Sequence, residues 1–391
     1  MNKIRSFKYI VNAYLALLLL PFGKKRKNLW LIGGHNGRLY TDNAKVFYEY
    51  MLATHPEVDI YWIVDKDAPA FEAIRGKKLI KGSIRAYGYF YRAEVVLFSD
   101  TLNSDIAPFS FVLPWVKRFY GQTCKVYLSH GTIAFKKMPK YKGALATLKK
   151  AIWQSYDLAI ASSDLSKKAM IGYNIQEKNI VIAGNARDDL LTHQPSTQRS
   201  ILVAPTWRSW LAHTPTLEKS DFFRHYAALL SDTTLITYLK RHNIILYFYL
   251  HHMFHTHIEV FEPLQNETIQ ILPAKTAIAD IISSSELMIT DYSSLCADFY
   301  YLQKPVLFFQ FDREMFLQHT GSEIDLHNDT FGDVVFQSDR LVEKMIDTLE
   351  AKSPITPLQK AGEKYFIHFK DNNNCHRIYK AIQQKLEERR R

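Results

Sequence analysis

The sequence predicts an α/β protein made of two doubly wound, Rossmann-like domains. Three observations carry that expectation. Short apolar, β-rich runs alternate with helical stretches along most of the chain. The series breaks near residues 193–199, in the polar, proline-containing stretch "HQPSTQR". At 391 residues the chain exceeds one ordinary core. Near-continuous apolar strands joined by helical crossovers indicate parallel sheets covered on both faces.

The first series of strand-like runs is "NLWLIGG" (28–34), "VDIYWIV" (58–64), "EVVLFS" (94–99), "KVYLSH" (125–130), "DLAIAS" (157–162) and "NIVIAG" (179–184). The second is "SILVAPT" (200–206), "NIILYFYLH" (243–251), "TIQIL" (268–272), "ELMIT" (286–290) and "PVLFFQ" (305–310). Helical patterns fall at 42–54, 145–155, 221–240 and 292–302. The expected organisation is a basic, apolar segment over 1–27, one domain over 28–195 and a second over 196–391. The terminal "KAIQQKLEERRR" reads as an exposed helix end.

Charge is uneven. Residues 1–28 hold Lys3, Arg5, Lys8, Lys24, Lys25, Arg26 and Lys27 and no acid, so seven of the net +11 charges lie there. Only +4 remains for the other 363 residues, which argues against nucleic acid as a partner. Between the basic groups runs "YIVNAYLALLLLPF", Tyr9–Phe22. A crossing needs about 20 apolar residues, so this segment is short for one. No small-residue cleavage site follows. The expectation for 1–27 is a membrane-associating helix lying on an anionic cytoplasmic leaflet, with a helix packed on the protein's own core as the alternative. Cys124, Cys296 and Cys375 have neither metal-site spacing nor the number for a disulfide framework, and fit a reducing compartment.

In open α/β sheets ligands bind at the carboxyl ends of strands, and several chemistry-bearing residues fall there. "KVYLSHGT" ends a strand in His130-Gly131-Thr132. A histidine there suits a general base, glycine admits a ligand near the backbone, and threonine donates to phosphate. A structural histidine in a turn would look the same. "ILVAPTWR" delivers Thr206 and Arg208 to another strand end, where arginine can grip phosphate or form an ion pair. "NIILYFYLHHMFHTH" holds His251, His252, His255 and His257. No HExxH pattern or cysteine ligand accompanies them, so a histidine acting on substrate is preferred to a metal. In "TDYSS", Ser293 and Ser294 open a helix, whose start is an anion site. Asp291 is placed as its cap or as a hydroxyl ligand. P-loop, GxGxxG and GxSxG patterns are missing.

Together these segments resemble the CDP-glycerol glycerophosphotransferase family, which makes teichoic acids and related polyol-phosphate polymers. The likeness is collinear from Trp30 to Phe331. It runs through Gly33-Gly34 and "TDNAKVFYEY", "SHGT", "GNARDD", "APTWR", a histidine after the next strand, and "SSELMITDYSSLCADFYYLQKPVLFF".

The resemblance implies a two-domain GT-B fold and attack by a polyol hydroxyl on the β-phosphorus of a CDP-activated polyol, with release of CMP. It implies His130 as general base and His251, or His252, at the pyrophosphate or leaving group. Thr206, Arg208, Ser293 and Ser294 become ligands of the pyrophosphate, and Gly131, Thr132 and Asp291 complete the substrate-binding set, with neither a metal nor a cofactor expected. The expected partners are CDP-glycerol or another CDP-polyol, a lipid-linked or polymeric acceptor, and the cytoplasmic face of the cell membrane. A sugar-nucleotide glycosyltransferase and a non-catalytic polymer-binding protein are the alternatives. A single transferase module, without an added glycosyltransferase domain, is the expected extent. The chain departs from the family pattern at Ile133, where proline is usual. It departs again over "HTGSEIDLHNDTFGD", where His319 or Thr320 stands near the place of an arginine.

Overall fold

The computed structural model describes residues 3–19, 26–131, 137, 143–192, 197–211, 217–250, 257–273, 276, 278–351, 355 and 363–391. The chain divides into two compact units. One takes in residues up to Thr132, Pro139–Leu190 and, after the chain returns, His368–Arg391; the other includes Leu191–Ile367.

The first unit is a seven-stranded parallel sheet. Its strands are β1 (Arg26–Gly33), β2 (Asp59–Val64), β3 (Lys78–Ile80), β4 (Ala93–Phe98), β5 (Cys124–Tyr127), β6 (Leu158–Ala161) and β7 (Ile180–Ile182). They lie in the order β3-β2-β1-β4-β5-β6-β7, with Trp30 of β1 level with Ile60 of β2 and Val95 of β4. The order reverses between β1 and β4, and that crevice is where such sheets bind ligands. Alternate residues of β1, β2 and β4 (Trp30, Ile32, Trp62, Val95, Leu97) pack against Phe47 and Met51 of helix α2 (Asp42–Thr54).

The same core contains Ile378, Ile382 and Leu386 from the C-terminal helix Asn374–Arg390. Spaced by four, these residues form one stripe on that helix. The expected exposed helix end is therefore a core element of the first unit, and the second unit does not run to residue 391 as anticipated.

The second unit repeats the plan. Strands β8 (Arg199–Val203), β9 (Ile244–Phe248), β10 (Ile269–Ile271), β11 (Leu287–Thr290), β12 (Val306–Phe309) and β13 (Asp333–Val335) lie in the order β10-β9-β8-β11-β12-β13, all parallel. Here the switch lies between β8 and β11. The single helix expected over 221–240 is two, Asp221–Leu230 and Thr233–Arg241, with Asp232 capping the second through Leu235 N–H at 2.8 Å.

Helix α1 (Lys3–Leu19) lies against helix α3 (Ile84–Arg92) of the first unit. Tyr9, Ala13 and Ala16 are buried there, and the Tyr91 hydroxyl donates to the Ala13 carbonyl at 2.6 Å. Gly82 has φ +69°, and a Cβ on it would collide with the Tyr9 ring. Ile4, Phe7, Leu18 and Leu19 stay exposed. Among the described residues no helix is long and apolar enough to cross a membrane.

Candidate active site

In the first unit the residues following β1, β4 and β5 converge at the switch point. His130 comes three residues after β5, beyond Ser129 at φ +55°. Its Nδ1 lies 3.4 Å from Asp100 Oδ1, just past β4, and its side chain is 58% exposed. A carboxylate at Nδ1 fixes the ring and leaves Nε2 toward solvent. Gly131 has open space where a Cβ would stand, while Thr132 lies outside the described residues.

A second histidine faces the first. His35 follows β1, and its ring centroid is 6.0 Å from that of His130. Its Nε2 bonds Asp42 Oδ2 at 2.7 Å, and Arg187 reaches to within 3.8 Å of the same carboxylate. The bond to Asp42 raises the His35 pKa against the opposing effect of burial. For Asp42 burial alone would raise the pKa, but His35 and Arg187 outweigh it and hold it low.

Asn43 explains the adjoining residue of the "DN" pair. It is buried, donates to the Leu128 and Ser129 carbonyls at 3.2 Å each, and accepts from the Arg187 N–H at 3.1 Å. One amide thus ties α2, the His130 turn and the "GNARDD" turn together. Asp105 does the same for the other wall. Its carboxylate accepts from the N–H groups of Asn36 (2.9 Å), Ser99 (3.1 Å) and Asp100 (2.8 Å). Burial, helped by the charge of Asp100, pushes Asp105 up to about 6. The sequence segments holding Asp42, Asn43 and Arg187 belong to the family-like motifs. His35, Asp100 and Asp105 carry no such signal, because only the β1–β4 switch brings them beside His130.

In the second unit, Arg208 differs from expectation. Its side chain is fully buried, with Nη2 2.8 Å from Asp291 Oδ2 and Nε 2.8 Å from Asp312 Oδ2, while Nη1 donates to the Thr206 carbonyl at 2.6 Å. Burial alone would lower its pKa, yet Asp291 and Asp312 carry it upward. All three guanidinium nitrogens are thus occupied by the protein, and the arginine holds loops rather than reaching for phosphate.

Asp291 is correspondingly not a helix cap. It accepts from the N–H groups of Thr206 (2.8 Å) and Tyr292 (2.5 Å) and from the Tyr226 hydroxyl (3.2 Å). The helix expected from 292 starts at Cys296. Ser293, partly buried, accepts from Leu295 N–H at 3.3 Å, and Ser294 is exposed. The Thr206 Oγ1 is buried and has no hydrogen-bond partner among the described residues. His251, with His252 and His255, lies outside the described residues. Among those described, no cluster of His, Cys, Asp and Glu could hold a metal.

Fold and site thus define a two-unit α/β protein with ionisable and hydroxyl residues gathered at two switch points, where such sheets bind ligands. Residues 13–384 match the CDP-Glycerol:Poly(glycerophosphate) glycerophosphotransferase family, and the chain belongs to it. Among relatives, the minor teichoic acid biosynthesis protein GgaB of Bacillus subtilis (strain 168) is 26% identical over 375 residues, covering 91% of this chain and 40% of that protein. The teichoic acid poly(glycerol phosphate) polymerase of the same organism is 24% identical, over 91% of this chain and 49% of that protein. The chain thus spans less than half of either. The teichoic acid glycerol-phosphate transferase of Staphylococcus aureus is 21% identical, over 91% of this chain and 93% of that protein. Among solved structures, the wall teichoic acid polymerase TagF superposes with a TM-score of 0.75 at 16% identity, covering 99% of this chain and 98% of that one.

Proposed function

We propose that this protein transfers glycerol phosphate, or a related polyol phosphate, from a CDP-activated donor to a hydroxyl of a lipid-linked or polymeric acceptor. Family membership over residues 13–384 carries this reading. His130 Nε2 takes the proton of the acceptor hydroxyl while Asp100 orients the ring. The acceptor oxygen forms a bond to the β-phosphorus, the bond to the CMP oxygen breaks, and CMP leaves. His251 stabilises the pyrophosphate or protonates the leaving group. Thr132, Thr206, Ser293 and Ser294 donate to the pyrophosphate, and the unpaired Thr206 hydroxyl supports that role. Gly131 leaves open space next to His130. Arg208 and Asp291 act at one remove, by setting the Thr206 and Tyr292 backbone.

The protein works at the cytoplasmic face of the membrane as a peripheral enzyme. The exposed Ile4, Phe7, Leu18 and Leu19, on a helix with Lys3, Arg5 and Lys8, support this. Incubation with CDP-glycerol, CDP-ribitol and UDP-sugars, each with acceptor, tests the chemistry through the nucleotide released. CMP is expected; release of UDP alone would sink the proposal.

A further inference from the structure

The first unit holds a cavity of about 600 Å³ that is separate from the crevice around His130 yet shares its walls. Its charged lining residues are Arg5, Arg38, Lys81 and Asp65, a net charge of +2. Lys81 is a buried cation there. Its Nζ donates to the Asn36 carbonyl, to Asn36 Oδ1 at 2.8 Å and to the Ser104 carbonyl at 3.0 Å. Arg5 comes from α1, donates from Nε to the Tyr9 hydroxyl at 2.6 Å and pairs with Asp65. Arg38 is exposed and has no ion-pair partner among the described residues.

Two of its lining residues directly follow, in sequence, the neighbours of His130. Asn36 and Thr101 line it. The residues just before them, His35 and Asp100, are the two that face His130. Asp105 locks both walls, bonding the N–H groups of Asn36 and Asp100 at once.

We propose that this cavity is an acceptor subsite that binds a polyol phosphodiester anion, the phosphate adjacent to the attacking hydroxyl. The assignment rests on the transfer reading above. Arg38 supplies the principal charge-assisted hydrogen bond, Arg5 a second, and buried Lys81 fixes the Asn36 wall. The same anion could come from a growing polyol-phosphate chain or from a phospholipid headgroup; we assign it to the chain.

The test titrates the full-length protein with a soluble tri(glycerol phosphate) and, separately, with phosphatidylglycerol vesicles, comparing wild type with Arg38→Gln and Arg5→Gln. Arg38 is exposed, so its variant is expected to stay folded. The proposal predicts oligomer binding that Arg38→Gln weakens at least tenfold and Arg5→Gln less, with vesicle binding unchanged. No oligomer binding by the wild type, or equal binding by Arg38→Gln, overturns it. So does an Arg38 effect confined to vesicles. CMP release from the CDP-polyol is followed in parallel. Arg38-dependent oligomer binding without CMP release would refute the transfer reading and leave the subsite standing.

Discussion

Arg208 and Asp291 form an ion pair of 2.8 Å in which both side chains are fully buried. Asp312 meets the same guanidinium from beyond β12, so one cation joins the ends of β8, β11 and β12. Charge ties the polar loops at this switch point together, and the rings of Phe222, Tyr292 and Phe316 pack around the guanidinium.

Removing one member of such a cluster leaves uncompensated charge in the interior, which costs about 3–5 kcal/mol. Arg208→Met is therefore expected to lower the unfolding free energy by that much, read as a lower urea midpoint. A phosphate-gripping arginine would instead raise KM for the donor at unchanged stability. Unfolding curves and donor kinetics on the same variant separate the two.

His130→Ala is expected to cut turnover by about 10²- to 10⁴-fold. Its side chain is more than half exposed, so the thermal midpoint should stay near that of the wild type. Asp100→Asn should give a smaller loss, with near-wild-type donor KM. Unchanged turnover in His130→Ala would remove it from the chemistry.

The His35–Asp42 pair ties stability to pH. The His35 pKa is raised, so its contribution is complete below the unfolded value, about 6.5, and fades as pH rises through the folded value. The Asp42 pKa is depressed, so its contribution is present above about 4 and is lost as pH falls through the folded value. Asp42→Asn should destabilise the protein most between these limits. The loss should shrink toward both extremes, as read from urea unfolding across the range. A loss independent of pH would contradict the pairing.

Ile382 is fully buried in the first unit's core. Ile382→Ala should cost about 2–5 kcal/mol, and Gln384→Ala, on the outer side of the helix, close to nothing. If both are neutral in unfolding measurements, the C-terminal helix does not dock as described.

Much of the fold was legible because its central strands are buried on both faces. The run "NLWLIGG" could hardly be anything else. Strands β3 and β13 escaped because each is a charged residue followed by only two apolar ones, too short a run to read. The C-terminal helix was misjudged because charged residues outnumber its single apolar stripe. At the site, His130 could be read from its strand end. The partners of Arg208 could not, because Asp291 and Asp312 lie 83 and 104 positions along the chain. Nor could the approach of His35 to His130, which depends on strand order rather than on spacing.

The return of His368–Arg391 to the first unit carries a consequence for biogenesis. Domains usually mature in the order of synthesis. Here the first unit has a gap in its hydrophobic centre until Ile378, Ile382 and Leu386 are made, and these follow the whole of Leu191–Ile367 in the chain. The second unit, Leu191–Ile367 with Ile133–Met138, is by then fully made and can mature first. The core behind the His130 crevice is thus completed only after the second unit's main segment has been made.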